Sequence, residues 1–121
     1  AVRYAHSRNV FGRSIGSNQY IAFTIARMQA RVHQARLAYY DAAFKLDAGL
    51  PFKTEASIAK LVCSEAAMDN VRAATQIFGG YGFLNENPVA RHYRDSKILE
   101  IGEGTSEVQL MIISRALGFA D

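Results

Sequence analysis

A regular apolar stripe runs through residues 18–48 and constrains the fold more than any other feature of the sequence. Its members recur at alternating intervals of four and three residues, which is the spacing of one helix face packed against neighbouring helices. They are Ile21, Ile25, Met28, Val32, Ala35, Tyr39, Ala42 or Ala43, and Leu46. At about 1.5 Å per residue the helix is about 46 Å long, which is typical of an extended bundle. Gly49 and Pro51 end it.

A second long helix follows, and a short helix precedes the pair. Apolar and alanine residues keep the helical spacing after Thr54, until Gly79 and Gly80 end the pattern. The opening residues of the chain also have helical character, and Gly12 and Gly16 separate them from the long helices. The two long helices are therefore expected to form the body of the domain.

Two more helices are predicted near the end of the chain. Asn87 and Pro88 form an N-cap and first-turn pair for a helix that runs to about Ile98. The last helix should begin at Ser106, whose hydroxyl caps it while Gln109 reaches back as in a capping box. Its buried side is expected to comprise Val108, Met111, Ile112 and Leu117.

These patterns predict an all-α fold, an antiparallel up-and-down helical bundle that forms one domain over residues 1–121. No strand-like alternation extends beyond a few residues, and 50% of the residues are apolar, which is enough for one core. Because the chain opens in helical sequence without an initiating methionine or a capping residue, the first helix is expected to be truncated.

Charge and composition argue against several classes of function. The net charge is +3 and the basic residues are scattered among acids, so nucleic-acid binding is not expected. No apolar run approaches the roughly 20 residues that cross a bilayer, which predicts a soluble protein without membrane insertion. Cys63 is the single cysteine, and the histidines show no ligand spacing, so no metal site is predicted. The histidines are His6, His33 and His92.

Three segments carry candidate functional residues, and each has a purely structural alternative. Glu103 lies between Gly102 and Gly104, so its carboxylate either points into a cleft that a flat ligand can approach or belongs to a solvated turn. The segment "QIFGGYGF", residues 76–83, is either a helix C-cap or a backbone edge for a phosphate or a sugar. In "SRNVFG", residues 7–12, the arginine either clamps a diphosphate or packs its stem on an aromatic ring.

Taken in order, these segments resemble the C-terminal helical domain of the acyl-CoA dehydrogenases. The likeness rests on "SRNVFGRSIGSNQ", "SIAKLVCSEAA", "QIFGGYGFLNENPVARHYRDSKILEIGEGTSE" and "MIISRALG", and it covers essentially the whole chain. The glycine-rich stretch through "GEGTSE" is its most specific part. The resemblance implies an FAD enzyme that oxidises an acyl-CoA to the trans-2-enoyl-CoA.

The resemblance also implies roles for individual residues. Glu103 matches the catalytic base that removes the α-proton, while the β-hydrogen leaves as hydride to FAD. Gly104 and Arg115 match substrate-binding positions. The positions that match FAD contacts, several of them to the FAD of a neighbouring subunit, are Arg8, Phe11, Gln19, Gln76, Ile77, Phe78, Gly79, Gly80, Thr105, Ser106 and Glu107.

A cofactor shared between two chains implies a homo-oligomer, either a dimer or a tetramer. The resemblance further implies an electron-transfer flavoprotein or a similar electron acceptor as a partner, and a cytoplasmic location, or the mitochondrial matrix in a eukaryote. Family members also have an N-terminal helical domain and a middle β-domain. Neither is present in these residues, so the isolated chain is expected to be poorly active or inactive.

Two positions depart from the family pattern. Gly102 stands where many relatives carry tyrosine, which leaves more room beside the thioester, and Leu110 stands where arginine is common. Two alternatives to the dehydrogenase remain open. One is an acyl-CoA oxidase, which passes electrons to oxygen. The other is a helical oligomerisation module without chemistry, which the apolar stripe and the missing domains motivate.

Overall fold

A computed structural model describes residues 1–119 as a helical bundle with one small β-hairpin, which confirms the predicted all-α class. The hairpin strands are β1 (Asn9–Val10) and β2 (Arg13–Ser14), and 3₁₀ turns span Ile15–Ser17 and Lys97–Glu100. The helices are α1 (Val2–Ser7), α2 (Gln19–Asp47), α3 (Lys53–Phe78), α4 (Gly80–Phe83), α5 (Pro88–Ser96) and α6 (Ser106–Ala116).

The long helices α2 and α3 form an antiparallel hairpin joined by residues 48–52. They contain 29 and 26 residues, so they are about 44 Å and about 39 Å long. Small side chains such as the buried Ala59 and Ala66 let neighbouring helices approach α3 closely. The Asn70 side-chain amide also donates a hydrogen bond to the Met28 carbonyl across the pair, at 3.2 Å.

The apolar side chains of α2 are less buried than a finished core requires. The helix has no buried residue, and several of its aromatic side chains are exposed. Three members of the predicted stripe, Val32, Tyr39 and Leu46, are exposed as well. A single neighbouring helix covers only one face, so the other face remains in solvent. The exposed aromatic residues of α2 are Tyr20, Phe23, Tyr39, Tyr40 and Phe44.

The buried side predicted for α6 is wrong in most of its members. Val108, Met111 and Leu117 are exposed, and Ile112 is half-buried. The helix packs mainly against α3, and its one buried residue is Gln109, which is 6% exposed. A polar side chain therefore occupies the inner position of this helix.

A β-hairpin between α1 and α2 was not predicted. The strands are only two residues long, too short for an alternating pattern to show in the sequence. Val10 pairs with Arg13 across a two-residue turn in which Phe11 has φ 52° and Gly12 has φ 80°. Two successive positive φ angles are typical of a type I′ turn, which usually has asparagine, aspartate or glycine at its first position. Phe11 is therefore an unusual and strained occupant.

The caps confirm one predicted helix start and correct another. The Asn87 side chain accepts a hydrogen bond from the Val89 backbone N–H, as expected for the start of α5. At α6 the cap is Thr105, not Ser106, because the Thr105 hydroxyl oxygen accepts from the Val108 N–H at 3.3 Å. The predicted capping box is therefore shifted by one residue, and Gln109 has a different role.

An ion pair between Lys45 and Glu55 spans the connection between α2 and α3. The hydrogen bond from Lys45 is the main reason that the pKa of Glu55 lies below its ordinary value of 4.5. The same hydrogen bond raises the pKa of Lys45 above 10.5. Both shifts favour the charged pair at neutral pH.

Replacing Glu55 with glutamine should flatten the dependence of stability on acid pH. The contribution of Glu55 is present above about pH 4.5 and is lost as the pH falls through its lowered folded-state pKa. Chemical denaturation at about pH 3.5 and about pH 7 should show a smaller loss of stability for Glu55→Gln than for the wild type. Glu65→Gln, at an exposed acid of α3, is the control and should behave like the wild type. Equal losses in all three proteins would contradict this role.

Candidate active site

Glu103 lies on a turn with an uncommon backbone conformation. Its φ is 57°, and that of the following Gly104 is 91°. A residue with a β-carbon in the left-handed region costs roughly 1 kcal/mol, and such strain is often found at functional sites. Asparagine or glycine would be easier to accommodate at position 103, so the conformation does not explain the presence of a glutamate.

The buried Gln109 holds this turn in place. Its side-chain amide nitrogen donates to the Glu103 carbonyl at 3.3 Å and to the Gly104 carbonyl at 3.2 Å. A β-carbon at position 104 would lie 2.8 Å from the same nitrogen. Gly104 is therefore required twice, once by its positive φ and once by the close approach of Gln109.

A cavity of about 390 Å³ opens beside Glu103. Its walls include Ile98, Leu99 and the α-carbon of Gly102, so much of its surface is apolar. The lining also includes three residues of α3, namely Lys60, Cys63 and Ser64. Burial raises the pKa of the Cys63 thiol, so the thiol is uncharged at neutral pH. Glu103 itself is exposed at the edge of this cavity.

The first turn of α6 follows the Glu103 turn directly and contains a second acid. A hydrogen bond from its own backbone N–H is the main reason that the pKa of Glu107 lies below its usual range. A hydrogen bond from the Thr105 hydroxyl acts in the same direction, as do the charges of Lys97 and Lys60. Thr105, Ser106 and Glu107, which match FAD contacts in the family resemblance, thus follow Glu103 at a helix start.

A second cluster joins α1 to the end of α3. Arg8 shares a cavity of about 360 Å³ with Ile77, Phe78, Gly79 and Gly80, all of which are predicted FAD contacts. Space is open around both glycines, because a β-carbon at either would meet nothing within 4 Å. Their backbone is therefore accessible to a ligand. The guanidinium of Arg8 lies 5.6 Å from the centre of a neighbouring aromatic ring, that of Tyr81.

Gln76 lies at the edge of a groove between α2 and α3, with a volume of about 470 Å³. Three arginines and one aspartate provide the charged side chains of this groove. Two of the arginines bridge to the aspartate, Asp69, at distances of 3.4 Å and 3.1 Å. The excess of positive charge favours an anionic ligand. The arginines are Arg27, Arg31 and Arg72.

The remaining predicted site residues are on the surface. Phe11 is 100% exposed at the tip of the β-hairpin, and Gln19 is exposed at the first position of α2. Arg115 is exposed in the last turn of α6. The structure therefore brings Arg8 together with residues 77–80, and Glu103 with a different cavity.

The sequence prediction did not include Lys60, Ser64 or Tyr81. Lys60 and Ser64 lie within an alanine-rich helical segment. The only feature of the sequence that could have identified them as site residues is a polar side chain on the inward face of that helix. Tyr81 follows two glycines, and nothing in the sequence pairs it with Arg8.

Within residues 1–119, no group of three His, Cys, Asp or Glu side chains is placed to hold a metal ion. None of the helices in this range combines the length and apolarity needed to span a lipid bilayer.

Comparison with known proteins assigns the chain to a family. The model of the acyl-CoA dehydrogenase C-terminal domain matches residues 1–118. The chain belongs to the acyl-CoA dehydrogenase family. A short-chain specific acyl-CoA dehydrogenase of Megasphaera elsdenii is 49% identical over 117 residues, which are 97% of this chain and 30% of that relative.

Solved structures share the fold. Butyryl-CoA dehydrogenase from Megasphaera elsdenii superposes with a TM-score of 0.96 at 47% identity, over 98% of this chain and 31% of that protein. PigA, solved as an FAD complex, gives a TM-score of 0.94 at 35% identity, over 97% of this chain and 30% of PigA. The chain therefore spans about 30% of the length of these relatives.

Replacing Gln109 with leucine should destabilise the Glu103 turn. The change keeps a side chain of similar size but removes the donor to two backbone carbonyls, at an expected cost of about 1–3 kcal/mol. Thermal or chemical denaturation measures the loss. Gln29→Leu, at an exposed position of α2, is the matched control and should change stability by less than about 0.5 kcal/mol. Similar effects at both positions would show that the hydrogen bonds to the turn are unimportant.

Proposed function

We propose that this chain is the base-carrying domain of an FAD-dependent acyl-CoA dehydrogenase that converts an acyl-CoA thioester to the trans-2-enoyl-CoA. The observation that carries the proposal is Glu103, held on a strained turn at the edge of a largely apolar cavity. The name of the Megasphaera elsdenii relative supports a short-chain acyl group as the substrate.

In the proposed reaction the Glu103 carboxylate removes the α-proton of the thioester. A carbon acid of this kind is weak, so the base is effective only where water is excluded and the thioester carbonyl is polarised. The apolar walls beside Glu103 favour the acyl chain over water. Gly102 lines the cavity without a side chain, so a flat thioester can lie close to the backbone beside the acid. Arg115, in the last turn of α6, is proposed as a second substrate contact.

The residues of the second cluster fit a dinucleotide diphosphate. Arg8 supplies a cation beside the accessible backbone of Gly79 and Gly80, and the arginine-rich groove at Gln76 adds further positive charge. Bound FAD would accept the β-hydrogen as hydride. The residues proposed to hold it are Arg8, Phe11, Gln19, Gln76, Ile77, Phe78, Gly79, Gly80, Thr105, Ser106 and Glu107.

Phe11 supports a shared cofactor and an oligomer. A fully exposed aromatic ring on a strained hairpin turn contributes little to the stability of its own chain, but it is suited to contact another molecule. We propose that it contacts FAD held by a neighbouring subunit of a dimer or tetramer. The exposed aromatic face of α2 is available for the same assembly. The electron acceptor is proposed to be an electron-transfer flavoprotein or a protein like it.

One observation favours the second candidate function, a helical oligomerisation module without chemistry. The aromatic side chains exposed on α2 are typical of an interaction surface and require no catalytic role. The two functions differ in what they require of Glu103. Only the dehydrogenase depends on its carboxylate.

Glu103→Gln should abolish most of the dehydrogenase activity of the full-length protein loaded with FAD. The amide keeps the size of the side chain but cannot accept the proton, so kcat/KM should fall by a factor on the order of 10² to 10⁴. An assay with butyryl-CoA and an artificial electron acceptor measures the rate. Glu86→Gln, at an exposed acid in the loop before α5, is the control and should retain full activity. Equal rates for Glu103→Gln and the wild type would refute the role of Glu103, and hydrogen peroxide production would identify an oxidase.

Phe11→Asn should change stability and cofactor binding in opposite directions. Asparagine suits the first position of a type I′ turn, so the free energy of unfolding should rise by about 1 kcal/mol. FAD affinity and oligomer formation should decrease, because the aromatic contact with the neighbouring subunit is lost. Denaturation, flavin fluorescence titration and sizing chromatography measure the three quantities. Unchanged FAD affinity in the more stable variant would show that Phe11 does not contact the cofactor.

A further inference from the structure

Arg8 and the glycines beside it belong to different elements of the fold. Arg8 is the C-cap of α1, and α1 packs mainly against the 3₁₀ turn at Ile15–Ser17 and against β2. Gly79 follows α3, and Gly80 begins α4. All three residues nevertheless line the same cavity of about 360 Å³. A contact between α1 and the end of α3 must therefore set the position of the arginine relative to the glycines.

The side chain of Tyr4 makes this contact. Its ring stacks on that of Phe78, with 4.2 Å between the ring centres and 13° between the ring planes. Its hydroxyl also donates a long hydrogen bond to the Phe78 carbonyl, at 3.4 Å. Stacked aromatic rings attract each other beyond the effect of burial alone. Tyr4 therefore attaches α1 to the last residue of α3, directly before Gly79.

The backbone of Arg8 is fixed relative to Tyr4. The Arg8 N–H donates to the Tyr4 carbonyl at 2.8 Å, and the Arg8 carbonyl accepts from the Ile15 N–H at 2.9 Å. The glycine turn is held separately on α3, where the Gly79 N–H donates to the Gln76 carbonyl at 3.2 Å. Tyr4 therefore joins two segments whose backbones are each held in place.

A second tyrosine restrains the Arg8 side chain. The guanidinium lies 5.6 Å from the centre of the Tyr81 ring, which is within the range of a cation–π contact. Tyr81 directly follows Gly80 in α4, so this contact keeps the cation at the glycine turn. Within residues 1–119 no carboxylate is paired with Arg8, so its charge remains available to an anionic ligand.

We propose that Tyr4 and Tyr81 are positioning residues for Arg8, which hold its guanidinium beside Gly79 and Gly80 where the FAD diphosphate would bind. This inference rests on the proposed function, because it assumes that Arg8 and the glycines contact FAD. Neither tyrosine needs to contact the cofactor. A guanidinium that is already in place loses less side-chain entropy when it binds a diphosphate, so the two tyrosines should increase the affinity for FAD.

A merely structural role of the tyrosines would have a different consequence. Aromatic packing between α1 and α3 stabilises the domain whether or not an arginine is present at position 8. Replacing Tyr4 would then weaken FAD binding by the same factor with and without Arg8. Positioning instead predicts that the effect of the tyrosine disappears once Arg8 is removed.

The test is a double-mutant cycle of Tyr4→Leu and Arg8→Met in the full-length protein, freed of its flavin. Flavin fluorescence titration measures the Kd for FAD. Arg8→Met should raise the Kd by a factor of about 10 to 100, because a charge-assisted contact with a phosphate is lost. Tyr4→Leu should raise the Kd about fivefold in the wild-type background, but less than about twofold in the Arg8→Met background. Equal factors in both backgrounds would overturn the proposal.

Tyr4→Phe and Arg3→Met are the matched controls. Tyr4→Phe keeps the stacked ring and loses only the long hydrogen bond, so it should keep most of the wild-type affinity. A Kd as high as that of Tyr4→Leu would show that the ring does not position Arg8. Arg3→Met removes an exposed charge from the same helix, and it should change the Kd by less than about twofold. A change as large as that of Arg8→Met would reduce the effect to net charge and overturn the proposal.

Tyr81→Leu repeats the cycle and decides the outcome even where Tyr4→Leu does not fold. Tyr81 is 53% exposed, so the fold should tolerate its replacement. The increase in Kd that Tyr81→Leu causes should also disappear in the Arg8→Met background. An increase by the same factor in both backgrounds would overturn the proposal.

The FAD titrations separate failure of this inference from failure of the proposed function. If Arg8→Met weakens FAD binding while the tyrosine effects persist without the arginine, the cofactor contact stands and its positioning by Tyr4 and Tyr81 is refuted. If Arg8→Met binds FAD as tightly as the wild type, the proposed contact of Arg8 fails, and the role of the tyrosines fails with it. If the wild type binds no FAD, the proposed function itself fails.

Discussion

Packing against α3 is the constraint on which the rest of the structure depends. Helices α2, α4, α5 and α6 all contact it, as does the 3₁₀ turn before Glu103. Its alanine and serine side chains allow neighbours to approach from several directions. The cavity beside Glu103 contains residues of its first half, and the Arg8 cluster contains residues of its last turn. Because a helix is stiff over such a length, α3 fixes the spacing of the two regions at about 20 Å.

Periodicity predicted the helices well and the burial poorly. The spacing of residues 18–48 depends only on helix geometry, and α2 follows it closely. Burial depends on which other elements cover a helix face, and Val108 and Met111 of α6 are exposed in residues 1–119. The sequence pattern therefore describes an assembled protein better than it describes one domain. The β-hairpin was missed for a different reason, because two-residue strands carry too little pattern.

The candidate site was likewise predicted only in part. Glu103 was singled out from its two glycine neighbours, but its φ and the hydrogen bonds from Gln109 required coordinates. Gln109 looked like part of a capping box, since spacing alone does not distinguish an amide that reaches a cap from one that reaches the preceding turn. Lys60 was overlooked, because lysine is usually exposed and its burial follows from a cavity formed by distant residues.

The turn at Glu103 contains one residue that the backbone conformation requires, Gly104, and one that the conformation does not favour, Glu103. Gly104 would persist in any descendant of this fold, active or not, because both its backbone angle and the neighbouring amide exclude a side chain. At position 103 the backbone conformation disfavours the residue that is present, since steric preference alone favours asparagine or glycine there. In a lineage that had lost its activity, drift would erase the acid and spare the glycine. A glutamate at this left-handed position is therefore more informative than the glycine for distinguishing active enzymes from inactive homologues.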